Sequence, residues 1–338
     1  GTVTATDVDT DNSSITFSMS GSDLSITSGG VLTFASAPDY ETKSSYSATV
    51  TASDGTNSAT QNITVNVTNV NEKPTITSSA SFTVDENQND IGFITAQDDS
   101  ENLTFEVTGT DSSSMSINNV TGALTFSVTP DYETKSTYSA IARVYDDEYF
   151  TQKAFQVFIT NLNDNTPSIT SSATFSAAEN QTAIGTVTAT DADGDTITYS
   201  LLGSDSSSMS INSSSGVLTF NSAPDYETKS SYSAIVTASD GTNSATQNIT
   251  VNVTNVNDNT PSITSSATFS AAENQTAIGT VTANDADGDT LTYSLSGSDE
   301  SSMSINSSSG VLTFNSAPDY ETKTSYTATV TASDGTNS

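Results

Sequence analysis

The sequence predicts an all-β protein, a tandem array of seven-stranded Greek-key β-sandwiches placed end to end. Two observations predict this class. The triplet Asp-Tyr-Glu occurs four times, starting at Asp39, Asp131, Asp225 and Asp319, at intervals of 92, 94 and 94 residues. A period of that length is typical of a small domain, so we expect several domains in series. Between the triplets lie short Thr/Val/Ile/Tyr-rich runs, and no stretch has the 3.6-residue apolar period of a helix.

The predicted strands are clearest between residues 168 and 255. In one run, Tyr232, Ala234, Val236 and Ala238 alternate with polar residues, as in a strand with one buried face. Gly, Asn, Asp, Ser and Pro separate the runs, which is typical of turns. Seven runs in one repeat predict a Greek-key sandwich, whose two facing sheets enclose a small core. In order, the runs are residues 168–180, 184–190, 196–202, 209–211, 216–220, 231–239 and 245–255.

Linkers rich in Asn, Asp and Pro mark the domain boundaries, because Pro ends the preceding strand and stiffens the connection. They start at Asn69, Asn161 and Asn255. The predicted domains are residues 1–72, 73–165, 166–259 and 260–338. The first repeat starts at its second strand, because Gly1–Asp7 matches Gly185–Asp191, and the last repeat stops before its final strand. We therefore expect this chain to be a window on a longer repetitive protein.

Composition excludes several classes of function. Forty acidic and seven basic residues give a formal charge of −33, and the chain has no His, Cys or Trp. Such a chain lacks the basic patches that bind nucleic acid or anionic membranes. Disulfides, zinc–thiolate sites and His-based catalytic triads are also excluded. No apolar run is long enough to insert into a membrane, and no signal peptide is recognisable in this segment.

The acidic residues are clustered, which bears on their role. Strong acidity often serves only solubility or adaptation to salt, with the acids scattered over the surface. Here, seven of the nine acids between Ser168 and Pro261 fall in short motifs that recur in other repeats, which favours ligand use. These seven are Glu179, Asp191, Asp193, Asp225, Glu227, Asp240 and Asp258.

The recurring motifs carry a family resemblance. They are Ala-Glu-Asn at 178–180 and 272–274 (Asp-Glu-Asn at 85–87), Asp-Ala-Asp-Gly-Asp at 191–195 and 285–289, the Asp-Tyr-Glu triplets, Ala-x-Asp at 238–240 and 332–334, and the Asn-Asp-Asn-Thr-Pro linkers. In this order and spacing the chain resembles the cadherin repeat family over all 338 residues, and bacterial cadherin-like, calcium-binding adhesins in particular. The resemblance implies cadherin or Ig-like sandwiches with metal ligands where two repeats meet.

The resemblance also assigns ligands to each junction. Acids of the Ala-Glu-Asn, Asp-Tyr-Glu and linker motifs lie at the far end of one repeat, and the Asp-x-Asp and Ala-x-Asp acids lie at the near end of the next. The third junction is then Glu179, Asp225, Glu227, Asp258, Asp285, Asp287 and Asp334. The second junction is Glu86, Asp131, Glu133, Asp164, Asp191, Asp193 and Asp240. Backbone carbonyls near Asn163, Asn165, Asn257 and Asn259 would complete the shells.

The first junction departs from this pattern. Its linker has Glu72 in place of Asp and Lys73 in place of Asn, and it is one residue shorter. The following segment reads Asp98-Asp99-Ser100-Glu101-Asn102, one residue short of the usual Asp-x-Asp motif. We expect fewer or more weakly bound ions here, and a bend point. Its expected ligands are Asp39, Glu41, Glu72, Asp98, Asp99 and Asp146. The same motifs near the two ends of the chain contribute Asp7, Asp9 and Asp54, and Glu273, Asp319 and Glu321.

The chemistry of these side chains favours calcium. A site made only of carboxylate and carbonyl oxygens suits a hard cation. Ca²⁺ accepts 6–8 oxygens in irregular geometry, whereas Mg²⁺ requires a tight octahedron and keeps its waters. Seven carboxylates with carbonyls satisfy about two to three Ca²⁺ ions per complete junction. Calcium binding would then hold adjacent sandwiches together.

Three classes of function remain to be weighed. The first is a calcium-rigidified stalk or filament segment of a large bacterial surface or secreted adhesin, located outside the cell. The second is an adhesive module, in which the sandwiches bind like chains or cell-surface glycans. The third is an enzyme, because paired carboxylates can hydrolyse glycosides. Identical acids at each junction and the absence of a pocket-forming insertion argue against catalysis. We therefore expect calcium, neighbouring repeats and possible like chains or cell-surface ligands as partners, and no enzymatic activity.

Overall fold

The computed structural model describes residues 1–99 and 102–338. They form two compact units, Gly1–Leu162 and Asn163–Ser338. Within the described residues the regular structure consists of β-strands and four single-turn 3₁₀ helices, Asn12–Ser14, Ser112–Ser114, Ser206–Ser208 and Glu300–Ser302. None of the helices in this part of the chain is long and apolar enough to cross a membrane.

The first unit begins with two small antiparallel sheets. One has the order β1-β4-β5, and the other pairs β2 with β3. The long hairpin of β4 and β5 dominates this part, with Tyr46 opposite Val65 and Val50 opposite Gln61. The strands are β1 (Thr16–Met19), β2 (Leu24–Ile26), β3 (Leu32–Phe34), β4 (Ser45–Ser53) and β5 (Ser58–Asn66).

The rest of the first unit is a complete sandwich. A four-stranded sheet of order β10-β13-β14-β7 faces a three-stranded sheet of order β11-β12-β8, and β6 pairs with β9. Strand β7 runs parallel to β14, whereas the other pairs are antiparallel. The strands are β6 (Thr75–Ile76), β7 (Ser81–Asp85), β8 (Asp90–Phe93), β9 (Ala96–Gln97), β10 (Thr104–Thr108), β11 (Met115–Ile117), β12 (Ala123–Phe126), β13 (Thr137–Tyr145) and β14 (Phe150–Thr160).

The second unit begins with a sandwich of the same topology. Its sheets have the orders β16-β23-β22-β19, β17-β21-β20 and β15-β18. The strands are β15 (Ser168–Ile169), β16 (Thr174–Ala178), β17 (Ala183–Thr186), β18 (Ala189–Thr190), β19 (Thr198–Leu202), β20 (Met209–Ile211), β21 (Val217–Phe220), β22 (Ser231–Ser239) and β23 (Ser244–Thr254). The all-β sandwich prediction is confirmed.

Residues 260–338 repeat most of this arrangement. Strand β24 pairs with β26, and β27 pairs with β30. A three-stranded sheet has the order β25-β29-β28. Residues 268–272, the counterpart of β16, form no strand, because residues 260–338 include no strand equivalent to its parallel partner β23. The strands are β24 (Ser262–Ile263), β25 (Ala277–Thr280), β26 (Ala283–Asn284), β27 (Thr292–Ser296), β28 (Met303–Ile305), β29 (Val311–Phe314) and β30 (Thr329–Ser333).

Each complete sandwich has its own apolar core, as alternation predicts. In residues 166–259, Val187, Leu218, Val236 and Val251 are fully buried between the sheets.

Two predicted runs differ from the structure, because 168–180 and 184–190 each divide into two short strands. The chain switches sheets inside each run, so β15 pairs with β18, whereas β16 joins β23 and β17 joins β21. The domain boundaries themselves stay a prediction.

Candidate metal centres at the repeat junctions

Each Asp-Tyr-Glu triplet begins a closed turn. At Asp225, the Oδ1 atom accepts a hydrogen bond from the Thr228 backbone N–H at 3.2 Å, and Oδ2 accepts one from the Thr228 hydroxyl at 3.0 Å. The backbone carbonyl of Asp225 also accepts from the Lys229 N–H at 2.9 Å. The turns at Asp39, Asp131 and Asp319 are bonded in the same way. The Asp carboxylate and the neighbouring Glu are therefore held near each other by local backbone geometry.

The Ala-Glu-Asn motif directs a glutamate into the sandwich. Asn180 has a φ of 62°, a left-handed conformation that Asn tolerates better than most residues. The chain turns at Asn180, directly after β16, and the Glu179 side chain is buried there, with only 3% of its surface exposed. Its carboxylate accepts from the Tyr226 N–H at 2.8 Å and the Val256 N–H at 2.7 Å. Glu179 thereby connects the Asp-Tyr-Glu turn to the linker.

Asp287 of the Asp-x-Asp motif is bound by the linker. Its Oδ2 accepts from the Asp258 N–H at 3.0 Å and the Asn259 N–H at 2.8 Å. The Asn259 side-chain amide donates to Oδ1 at 2.7 Å and to Glu227 at 3.2 Å. Although burial acts to raise the pKa of Asp287, these hydrogen bonds outweigh it and hold the pKa below its usual range.

Four carboxylates of the third junction come together. Oxygens of Glu179, Glu227, Asp258 and Asp287 all lie within 4.8 Å of one another. Burial and the neighbouring charges of Glu179 and Asp287 raise the pKa of Glu227. Such mutual repulsion costs free energy unless a cation or a proton offsets it. The arrangement is therefore suited to binding a cation.

A third segment closes the junction. Asp334 Oδ1 accepts from the Thr336 and Asn337 N–H groups, both at 2.6 Å. The Asn337 side-chain amide then donates to Asn257 Oδ1 at 3.0 Å and to the Asn259 carbonyl at 3.3 Å. The Ala-x-Asp loop thus contacts the linker carbonyl that was expected near the metal.

Several carboxylate oxygens are buried with no hydrogen-bond donor among the described residues. In the second unit these are the Oδ2 atoms of Asp191, Asp240 and Asp285. In the first unit they are both oxygens of Asp98, Oδ1 of Asp99 and Oδ2 of Asp146. A buried acceptor without a donor is costly, and a bound cation removes that cost. All these acids belong to the Asp-x-Asp and Ala-x-Asp positions, and only oxygen is offered, so the residues fit Ca²⁺.

The first junction brings together a smaller set. Oxygens of Glu41, Glu72 and Asp99 lie within 4.8 Å of one another. Asn69 donates to Asp99 Oδ2 at 3.0 Å. Lys73 and Tyr149 occupy the positions of Asn259 and Asn337 of the third junction. Lys73 Nζ lies 6.0 Å from the centre of the Tyr149 ring. Ser100 and Glu101 of the predicted Asp-Asp-Ser-Glu-Asn segment lie outside the described residues.

The ligands predicted for the second junction divide between the two units. In the first unit, Glu86, Asp131 and Glu133 cluster, and Glu86 is buried and accepts from the Tyr132 and Leu162 N–H groups at 2.9 and 2.7 Å. In the second unit, Asp193 accepts from the Asp164 and Asn165 N–H groups at 3.0 and 2.8 Å. Asn163 donates to the Asp240 carbonyl at 3.5 Å.

The acids near the chain ends have the same local geometry. Asp7 accepts from the Asp9 N–H at 3.0 Å, and Asp54 accepts from the Thr56 N–H at 2.6 Å. Glu273 accepts from the Tyr320 N–H at 3.2 Å but is exposed, unlike Glu86 and Glu179. The sequence places Asp319 and Glu321 in the same turn.

Sequence reasoning missed the side-chain contacts of Asn180 and Asn337, named Asn259 only for a nearby backbone carbonyl, and gave the recurring Lys no partner. Asn180, Asn259 and Asn337 contact carboxylates or the linker. The repeated Asp-Gly-Thr-Asn at 54–57, 240–243 and 334–337 signals the Asn337 position. Lys229 forms an ion pair with Asp205 at 2.5 Å. The constant 24-residue spacing of such Asp–Lys pairs in three repeats was the available signal.

The fold and these acidic junctions define a class of protein, the tandem β-sandwich repeats whose boundaries carry clustered carboxylates. A cadherin domain family model matches residues 1–68, 172–254 and 267–338, more than half of the chain. The chain therefore belongs to the cadherin domain family.

Proteins with similar sequences also carry cadherin in their names. The chain is 31% identical over 338 residues to human Cadherin EGF LAG seven-pass G-type receptor 2, a match covering 90% of this chain and 12% of the relative. It is 28% identical over 335 residues to the Fat-like cadherin-related tumor suppressor homolog of Drosophila melanogaster, covering 90% of this chain and 7% of the relative. The chain thus spans only a small part of the length of these relatives.

Solved structures share the fold. Domains EC3-6 of protocadherin gammaB7, in a structure described as a cis-dimer, match with a TM-score of 0.66 at 23% identity, covering 90% of this chain and 86% of that one. Domains EC22-24 of mouse Cadherin-23 match with a TM-score of 0.61 at 23% identity, covering 78% and 94%. At these identities the likeness concerns the fold alone.

Proposed function

We propose that Ca²⁺ binds at the junctions between repeats, about two to three ions per complete junction. On this proposal the chain is a calcium-rigidified stalk or filament segment of a large bacterial surface or secreted adhesin, outside the cell. Calcium and the neighbouring repeats of the same chain are its first partners.

The observation that carries the proposal is the set of buried carboxylate oxygens without donors. Asp191, Asp240 and Asp285 each bury an Oδ2 atom that no donor in the described part of the chain reaches. These positions recur at the same place in successive repeats, and Asp191 lies in a cluster with Asp193 and Asp195. A buried carboxylate oxygen without a donor costs free energy, and a bound cation would remove that cost.

Electrostatics explains how binding would stiffen the chain. The seven carboxylates of the third junction carry seven negative charges, and about two to three Ca²⁺ ions nearly neutralise them. Without the ions, the carboxylates repel one another at short distances in a partly buried region. Glu179, Glu227 and Asp258 belong to one repeat and Asp287 to the next, so shared ions would hold the two repeats together. Bending the joint would then require breaking metal–ligand bonds, so calcium binding would make the joint stiffer.

The arrangement supports a stalk better than an enzyme. The acids recur in the same motifs at each junction, whereas an active site is built once from unlike residues. The match to cadherin domains points to the same conclusion. Repeats three and four are almost identical in sequence, which suits a spacer that supplies length.

Calcium titration and small-angle scattering test this proposal. Calorimetry on the whole chain should show binding in the submillimolar to millimolar range that is typical of extracellular modules. Scattering should show a stiffer particle in calcium than in EGTA. A chain that binds no calcium, or whose scattering is the same in both conditions, would refute the proposed function.

One observation favours the alternative, an adhesive module for like chains or cell-surface glycans. Phe150 and Phe158 on β14 are 50% and 42% exposed, whereas the third repeat has Ser244 and Asn252 at these positions. Tyr145 lies 5.5 Å from Phe150 between ring centres. Exposed aromatic residues are enriched at binding interfaces. Only the second repeat carries this surface among the described repeats.

The alternative has its own test. Wild-type chain and a variant with Phe150→Ser and Phe158→Asn, which restores the residues of the third repeat, are compared for self-association and for binding to glycan surfaces. Binding that the variant loses would support the module. Absence of binding by the wild type would leave the stalk as the function of this segment.

A further inference from the structure

The Lys that follows each Asp-Tyr-Glu-Thr sequence makes the same contact in repeats two to four. Lys229 pairs with Asp205 at 2.5 Å, and Lys135 with Asp111 and Lys323 with Asp299 form the equivalent pairs. In each case the two residues are 24 positions apart. The pair therefore joins the turn that carries two predicted calcium ligands to the 3₁₀ turn that starts after the Asp.

The Asp of each pair is fixed by the sheet. The second carboxylate oxygen of Asp205 accepts from the Ser233 N–H at 2.8 Å, and the counterparts in repeats two and four accept from Ser139 and Thr327 at 2.8 and 2.7 Å. The Asp205 side chain is only 17% exposed. The hydrogen bond from Lys229, and then that from Ser233, hold the pKa of Asp205 below its usual range. The ion pair is thus anchored at the start of a long strand.

The Lys side chain also lies on an aromatic ring. Lys229 Nζ is 4.6 Å from the centre of the Tyr232 ring, and that ring packs against Phe220 of the core with centres 5.0 Å apart. The distances at Lys135 and Lys323 are 4.7 and 4.6 Å. A cation over an aromatic face gains about 0.5–1 kcal/mol at an exposed site. Carboxylate and ring together restrict the Lys side chain to one position.

We propose that Lys229, Lys135 and Lys323 are positioning residues for calcium. This inference rests on the proposed function. The Lys229 N–H closes the turn onto the Asp225 carbonyl at 2.9 Å, so fixing Lys229 also fixes the turn that carries Asp225 and Glu227. The pair opposes the repulsion that would move Glu227 away from Glu179 and Asp287. The turn consequently has its metal-binding conformation before Ca²⁺ binds.

The first repeat contains a weaker version that serves as a natural contrast. Lys43 pairs with Asp23 at 2.5 Å, but the spacing is 20 residues and the Asp23 side chain is 53% exposed. Among the described residues no backbone N–H donates to the Asp23 carboxylate. Lys43 still lies 4.7 Å from the centre of the Tyr46 ring. Since an exposed pair contributes little, Lys43 should hold its turn less firmly.

The test uses the whole chain with Lys229→Met, which keeps the length of the side chain and removes its charge, and Lys43→Met as the matched control. Hydrogen exchange by mass spectrometry follows residues 220–232 during a calcium titration. We expect Lys229→Met to weaken calcium binding at the third junction about tenfold, because the turn that carries Asp225 and Glu227 is no longer held by the ion pair, and to speed hydrogen exchange of this turn in EGTA. Lys229→Arg should restore both properties, and Lys43→Met should change the first junction less.

The outcomes separate the inference from the proposed function. If Lys229→Met lowers only the melting temperature, with unchanged turn exchange and calcium affinity, Lys229 is merely structural and the inference is overturned. If wild type binds no calcium, the proposed function fails and the calcium part of the inference with it, whereas faster turn exchange in Lys229→Met would show only that Lys229 fixes the turn. Should Lys229→Met not fold, Asp205→Asn replaces it, with the same expected effects.

Discussion

The first and third junctions are built from the same motifs but differ in what they gather. The third collects carboxylates of Glu179, Glu227, Asp258 and Asp287, and the first collects Glu41, Glu72 and Asp99. In the third, Asn259 and Asn337 connect linker and loop by neutral amides. In the first, the corresponding residues are Lys73 and Tyr149, which form a cation–π contact.

The residues that differ between the two junctions change the charge of the joint. Lys73 adds one positive charge to the linker beside Glu72, and a positive charge near carboxylates weakens their attraction for a metal ion. The six acids and Lys73 of the first junction carry a net charge of −5, against −7 for the third junction. The first joint should therefore depend less on calcium and bind it more weakly. On the proposed function, changing two or three linker residues would change how strongly a joint depends on calcium.

The largest expected effect comes from removing the carboxylate that the linker holds. Asp287→Ala deletes the acceptor of three linker hydrogen bonds and a predicted ligand. We expect calcium affinity at the third junction to fall about 100-fold, and Asp99→Ala to weaken the first junction only about tenfold. Site-resolved hydrogen exchange during a calcium titration measures both. Equal losses at the two junctions would show that they do not differ in calcium dependence.

The buried glutamate of the third junction should matter next. Glu179→Gln places a side-chain amide donor against one of two backbone N–H groups, so we expect a loss of about 2 kcal/mol in the free energy of unfolding of repeat three in EGTA. Glu273→Gln is the control, because that exposed side chain accepts one bond at 3.2 Å and should lose less than about 0.5 kcal/mol. Urea unfolding followed by hydrogen exchange gives both values. A loss as small for Glu179 as for Glu273 would contradict the role assigned to burial.

Exchanging the linkers tests the comparison from both sides. Replacing Glu72-Lys73 by Asp-Asn-Thr gives the first junction the third linker, and we expect its calcium affinity to rise about tenfold. Asn259→Lys introduces the competing charge at the third junction and should lower affinity there by a similar factor. Calorimetry measures each change. If neither exchange alters affinity, the linker residues do not set the difference.

The smallest expected effect is a dependence on pH in the absence of calcium. The pKa of Glu227 is higher in the folded than in the unfolded chain, so protonated Glu227 favours the folded state. This stabilisation is fully present below the unfolded pKa and is lost as the pH rises through the folded pKa. Glu227→Gln mimics the protonated form, and in EGTA it should be more stable than wild type at neutral pH and equal to it near pH ~4. Glu41→Gln should behave alike, because the pKa of Glu41 is raised too. Urea unfolding across this range is the measurement, and a variant less stable at neutral pH would reverse the assigned sign.

Much of the fold was predictable because its signals are local. Alternation along residues 231–239 predicted β22, whose bounds Ser231–Ser239 agree with the predicted run. The division of residues 168–180 into β15 and β16 was not predictable, since it depends on which sheet each half pairs with. Pairing partners are remote in sequence, and a single run carries no information about them.

The candidate site shows the same limit. The acids were found by their recurrence, and the left-handed Asn180 was implicit in the Ala-Glu-Asn motif. The ion pair of Lys229 with Asp205 was missed, because Lys229 adjoins predicted ligands and its partner lies in another turn. The assignment of ligands to ions remains a prediction from family resemblance and oxygen chemistry.

On the proposed function, calcium fixes the third junction more strongly than the first. The chain has no Cys, so pairs of spin labels can be attached at introduced cysteines without interference. Ser222→Cys with a second cysteine at Ser308 spans the third junction, and Ser36→Cys with one at Val120 spans the first at equivalent positions. Double electron–electron resonance then measures each distance distribution in EGTA and along a titration to about 1 mM Ca²⁺. We expect the distance distribution across the third junction to narrow markedly, and at a lower calcium concentration than the distribution across the first. A third distribution that calcium leaves unchanged, or one that narrows no more than the first, would contradict it.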